Sequence, residues 1–60
     1  MKRYKINKNT GDLSGWKYRG STDDYTEVVQ EFETIGYKIG LKGLRITDTE
    51  TNEIIYEKTI

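Results

Sequence analysis

The sequence contains no cysteine, histidine, proline or alanine, and the first two absences close off whole classes of chemistry. Without cysteine there is no disulfide framework, no thiolate nucleophile and no sulfur ligand for zinc. Without histidine the commonest general base and metal ligand is missing. Long apolar runs are absent too. The longest is Ile54-Ile55-Tyr56, against the ~20 residues that a membrane-spanning helix needs. No apolar stretch follows the charged start Met1-Lys2-Arg3-Tyr4-Lys5, so no secretory signal is expected and the expected location is the cytoplasm.

Residues themselves are few. Sixty make one domain at most, spanning 1–60, and a chain of this size draws only about 3–5 kcal/mol from a single core. Ile, Leu, Val and Phe number thirteen, close to the roughly 20% below which chains stay unfolded. Zero net charge and seven aromatic residues favour folding nonetheless. With no disulfide and no metal site expected, self-association is the remaining natural staple. A homodimer is therefore the expected state.

Net charge is also lacking, but only as a total. Ten Lys and Arg balance ten Asp and Glu. Residues 1–20 hold Lys2, Arg3, Lys5, Lys8, Lys17 and Arg19 against Asp12 alone. Residues 21–37 hold Asp23, Asp24, Glu27, Glu31 and Glu33 and no cation. Neutrality is the sum of a basic segment and an acidic one.

What is present reads as secondary structure in the order ββαββ. Alternation over 2–6 and again over 16–19 predicts a β-hairpin, joined by the turn-forming residues 7–12. Alternation is expected to place Tyr4, Ile6, Trp16 and Tyr18 on an apolar face, with Arg3, Lys5, Lys17 and Arg19 on the opposite one. Residues 20–24 then offer several helix-capping oxygens, with Asp24/Glu27 or Ser21/Asp24 as capping-box pairs. Tyr25, Val28, Val29, Phe32 and Ile35 recur at helical spacing on one stripe, away from Glu27, Gln30, Glu31 and Glu33. Gly36 sits where a left-handed residue would close the helix.

From Tyr37 the period returns to two, with a parity flip near Gly40 and Gly43. One bent strand over 37–47 is expected. A final hairpin follows, with 44–47 and 53–58 as its arms and Asn52 at a positive-φ turn position. Placing Ile54 and Tyr56 in the core with Leu44 and Ile46 leaves Ile55 exposed, which makes it the candidate for self-association. The predicted fold class is α+β: one amphipathic helix packed on a short antiparallel sheet.

Catalytic groups are hard to find. The serines are Ser14 and Ser21, with no histidine to activate either, and Ser21 reads better as a helix cap. Carboxylate pairs such as Asp23/Asp24 or Glu27/Glu31 could serve acid–base work or hold Mg²⁺ only in a desolvated cleft. A helix's outer face is a solvated surface instead. Gly40-Leu41-Lys42-Gly43 lacks the length, the Ser or Thr and the following helix of a phosphate loop. No enzyme and no cofactor are expected.

Binding is what remains. Four cations on one hairpin face would neutralise about four phosphates, a modest affinity for nucleic acid. Aromatics on the other face would give no stacking platform beside them, and a pI near 6.2 also opposes a polyanion. The plainer reading of the basic face is a solvated strand kept from aggregating. The acidic face Asp23, Asp24, Glu27 and Glu31 could meet a basic partner, or the basic face of a second copy. Seven Lys, seven Ile, eight Thr and five Tyr with no Ala or Pro suggest an A/T-rich gene of a low-GC bacterium, phage or mobile element. The expectation is a small protein-binding module, an inhibitor or adaptor, with a host defence factor as a candidate partner. Nucleic-acid binding is the alternative.

Overall fold

The computed structural model describes residues 2–13 and 15–59; Ser14 lies outside the described residues. Strand β1 (Tyr4–Asn9) and β2 (Trp16–Thr22) form the first hairpin, α1 spans Thr26–Ile35, and β3 (Gly43–Asp48) and β4 (Glu53–Thr59) form the second. The four strands make one antiparallel sheet in the order β2-β1-β3-β4. Each hairpin thus contributes one central and one edge strand. Passing from β2 to β3, α1 crosses over β1 and covers one face of the sheet. The shortest dimension, 16 Å, is that of one sheet plus one helix.

Pairing decides which side chains the helix covers. Residues directly opposite one another share a face. Ile6 pairs with Ile46 on one side and Gly20 on the other, and Ile46 pairs with Tyr56. Leu44 sits between Lys8 and Lys58. Leu44 and Ile46 are fully buried, and with Ile6, Phe32 and Leu41 they form the core, flanked by Tyr4, Tyr25, Val28, Val29 and Tyr56. Tyr4 meets Tyr25 edge to face, with ring centroids 4.8 Å apart. Burying five such apolar side chains is worth on the order of 10 kcal/mol before conformational entropy is subtracted.

The helix begins one turn after the strand ends. Ser21 and Thr22 remain in β2, so Ser21 cannot cap. Asp24 Oδ1 instead accepts the Thr26 N–H at 3.0 Å, and Thr22 Oγ1 accepts the Asp24 N–H. The Thr26 N–H first, and then its hydroxyl, hold the Asp24 carboxyl below its usual pKa. An Asx-type turn, not the expected capping box, opens the helix.

At its other end, the helix closes later than Gly36. That residue is right-handed (φ −53°) and buried; an added Cβ would come within 2.8 Å of the Phe32 ring. Gly36 is there for close packing. The left-handed residue is Gly40, at φ +87°, and the Leu41 N–H donates to the Gly36 carbonyl at 2.8 Å. That six-to-one bond is the Schellman closure, displaced by four residues. Residues 36–40 are therefore turns that extend the helix, not the first half of a bent strand. Tyr37, Ile39 and Ile35 are exposed in consequence, and Leu41 takes the place in the core expected of Ile35.

The second hairpin follows expectation at its turn, where Asn52 has φ +61°. Its register holds one surprise. Pairing shifts between Ile46 and Thr47, so Ile55 is an extra residue, a β-bulge. Ile54 then pairs with Thr47 and faces away from the helix, correcting its expected place in the core.

Candidate functional site

The sheet face that the helix leaves uncovered carries the aromatic residues expected in the core. Trp16 pairs with Asn9, which pairs with Gly43; Tyr18 pairs with Asn7, which pairs with Arg45. These rows lie on the face opposite Ile6 and Ile46. Alternation within β2 was legible, but its phase relative to β1 was not. Phase follows from the loop at 10–15 and from a second bulge, where Arg19 is the unpaired residue before Gly20. The glycine inside a strand was the available signal.

Trp16 is held from two sides. Its ring reaches across Asn9 to lie against Gly43, where an added Cβ would stand 2.7 Å from the ring's Cη2. The Arg45 guanidinium sits over the same ring at 4.3 Å from its centroid. Arg45 in turn donates to both carboxylate oxygens of Glu57, from Nε at 3.3 Å and Nη2 at 3.2 Å. Gly43, Trp16 and Arg45 thus stack into a fixed platform, with the exposed Glu57 holding the guanidinium from β4. Beside it Tyr18 is 57% and Ile54 52% exposed, with Lys5, Asn7 and Ser21 between them half-buried. Sequence reasoning missed Gly43 and Arg45 as members of this surface.

The expected basic face does not assemble. Lys5 lies on the uncovered face, but Lys17 pairs with Lys8 on the covered side and bonds Asp12 at 3.1 Å. Arg19 is the exposed bulge residue. Arg3 precedes β1 and is taken up elsewhere: its Nε and Nη2 donate to Asp48, and its Nη1 lies 3.4 Å from Glu50. The Arg3 bond holds the buried Asp48 carboxyl below its ordinary pKa, with burial opposing and the Glu50 N–H assisting. Asp48 keeps the guanidinium protonated in return. This clasp ties the second turn to the start of β1, and the Thr49 N–H and hydroxyl both donate to the Arg3 carbonyl.

The acidic set divides in the same way. Asp23 Oδ1 accepts the Arg3 N–H and Asp24 opens the helix, so both serve local structure. Glu27 and Glu31, one helical turn apart, are exposed. Glu33 faces β4, where the Tyr56 hydroxyl donates to it at 3.1 Å and Lys58 Nζ lies 4.0 Å away. Burial first, then the Glu33 carboxylate, raises the Tyr56 phenol's pKa.

Between α1 and β4 lies a shallow hollow of about 340 Å³, lined by Tyr25, Thr26, Val29, Gln30, Glu33 and Tyr56. Its walls are mostly hydrocarbon, and its one carboxylate, Glu33, is already bonded to the Tyr56 phenol. The arrangement suits an apolar side chain. Ile55, the candidate for self-association, stands 41% exposed on the adjoining edge strand. Among the described residues no helix is long and apolar enough to cross a membrane. Compared with known proteins, the chain matches no family model, no curated sequence and no solved structure.

Proposed function

We propose that this chain is a non-enzymatic binding protein that grips a protein partner with the uncovered face of its sheet, as an inhibitor or adaptor. One observation carries this reading: Trp16 is fixed between Gly43 and Arg45 on a face that, among the described residues, no other element covers. Tryptophan, tyrosine and arginine are the residues most often found at the energetic centres of protein interfaces. A pre-ordered anchor loses little side-chain entropy on binding. Tyr18 and Ile54 would extend the apolar centre, and Lys5, Asn7 and Glu57 would form a polar rim. The composition's A/T-rich character keeps a host factor of a phage or mobile element as the candidate partner.

A tagged copy should recover one protein from lysate of the native host, and Tyr18→Ala should lose it. Reversing Glu27 and Glu31 to Lys tests the acidic helix face instead. Loss with that pair, and retention with Tyr18→Ala, would move the contact to the helix.

A second reading has gained support from the same geometry. Trp16 and Tyr18 share their face with Lys5 and Arg45, so aromatics and cations now stand together as they do on sheets that bind single strands. Glu57 offsets Arg45, and this makes it the lesser reading. If it holds, a short oligothymidine at low salt should quench Trp16 fluorescence, and added salt should reverse the quench. Unchanged fluorescence would remove it.

A further inference from the structure

We infer that β4 is a docking edge for a second copy of this chain, paired antiparallel about a two-fold axis beside Ile55 and Tyr56. The two edges of the sheet are not equivalent. Strand β2 is half-buried at five of its seven positions, whereas β4 is exposed at six of seven. An edge strand presents unpaired backbone N–H and C=O groups, and an exposed apolar one is a template for further pairing. Two adjacent isoleucines, Ile54 and Ile55, stand 52% and 41% exposed there.

The bulge selects the register. In an unbroken strand, antiparallel self-pairing joins residues an even number of positions apart. Ile55 breaks the alternation, so Glu53 shares the covered face with Tyr56 and Lys58, and Ile54 shares the uncovered face with Glu57. Same-face residues then meet on both sides of the bulge in one register: Glu53 opposite Lys58, Ile54 opposite Glu57, and Ile55 opposite Tyr56. That register sets each Glu53 carboxylate against the Lys58 ammonium of the other copy, twice by symmetry. Opposite charges directly across antiparallel strands stabilise pairing, and like charges oppose it. Charge complementarity therefore falls where the bulge has already placed it.

The hollow beside Tyr56 supports the same axis. It lies between α1 and this edge strand, and the sheet contributes Tyr56 to its lining. Pairing about Ile55 and Tyr56 would bring the two hollows together across the axis, where the Ile55 side chains could fill them. The result is a continuous eight-stranded sheet with both helices on one side. Its other side, with Trp16 and Tyr18, stays open in each copy for the partner proposed above.

Sedimentation equilibrium on the purified chain should give about twice 7.0 kDa in the micromolar range. Ile55→Lys, which places cations beside the axis, should leave only monomer with an unchanged circular dichroism spectrum. Glu53→Lys should weaken the dimer roughly tenfold by replacing two attractions with two repulsions. Adding Lys58→Glu to Glu53→Lys should restore it, and that rescue separates pairing from misfolding. A monomeric parent chain overturns the proposal. So does a dimer that survives Ile55→Lys, one indifferent to Glu53→Lys, or one lost on Tyr18→Ala. These measurements use no partner, so their failure is distinct from failure of the pull-down.

Discussion

Gly43 shows how much a single missing side chain can decide. The Trp16 ring occupies the space that a Cβ would need, and Thr59 Cγ2 and the Lys58 carbonyl close it from the other side at 3.2 and 3.3 Å. Gly43→Ala is therefore expected to cost about 1–3 kcal/mol through overpacking. It should also lift Trp16 into solvent, read as a red shift of its fluorescence. An unshifted spectrum would mean that the ring is not held there. Asp48 makes the complementary case for charge. Its folded carboxyl, bonded by Arg3, binds a proton less tightly than the unfolded one, whose ordinary value is 3.8. The resulting stability is present above that value and is lost as pH falls through the lower folded one. Asp48→Asn should lower the melting temperature by several degrees at neutral pH. The gap between variant and parent should narrow as the solution is acidified below pH ~4.

At the scale of elements, the two glycines after the helix carry different burdens. Gly40 alone has the left-handed backbone, so Gly40→Ala should cost roughly 1 kcal/mol, with Gly40→Asn closer to neutral. Gly36 has ordinary helical dihedrals, and Gly36→Ala should act instead by driving a Cβ against the Phe32 carbonyl oxygen and ring, which would lie 2.5 and 2.8 Å from it. Chemical denaturation of the three variants tells the two causes apart. Only a left-handed position is rescued by asparagine, and Gly36→Asn should be no better than Gly36→Ala. Helix and hairpins were legible because each is a local matter: 3.6-residue spacing, two-residue alternation, and turn residues between the arms. The first turn, expected over 7–12, starts later, because Asn7, Lys8 and Asn9 continue β1 and pair on both sides. The first half of the strand expected over 37–47 failed on the same ground, while its second half is β3. Alternation at Tyr37, Ile39 and Leu41 is also compatible with a helix that unwinds through turns, and the closing bond from Leu41 to Gly36 is what settles it.

For the whole molecule, size sets the terms. A core of five buried residues among those described leaves a margin of a few kcal/mol once chain entropy is subtracted. If β4 pairs with a second copy, association stabilises the fold by mass action. The melting temperature of the parent chain should then rise with protein concentration, while that of Ile55→Lys should not. Calorimetry at two concentrations makes the comparison directly.

The sequence by itself determined the inventory and the local periods: no thiol, no imidazole, a basic start and an acidic helix, and the order ββαββ. Only the tertiary structure decided which face each strand presents. A strand's alternation states which residues stand together but not which way they point, since one extra residue reverses the remainder. Bulges at Arg19 and Ile55 do this in both edge strands. They move Trp16, Tyr18 and Ile54 to the uncovered face. The charge segregation seen along the chain also dissolves in three dimensions, because strand pairing brings together residues far apart in sequence. Arg3 and Asp48, 45 residues apart, meet across the ends of β1 and β3, and the basic segment becomes a set of paired and scattered cations.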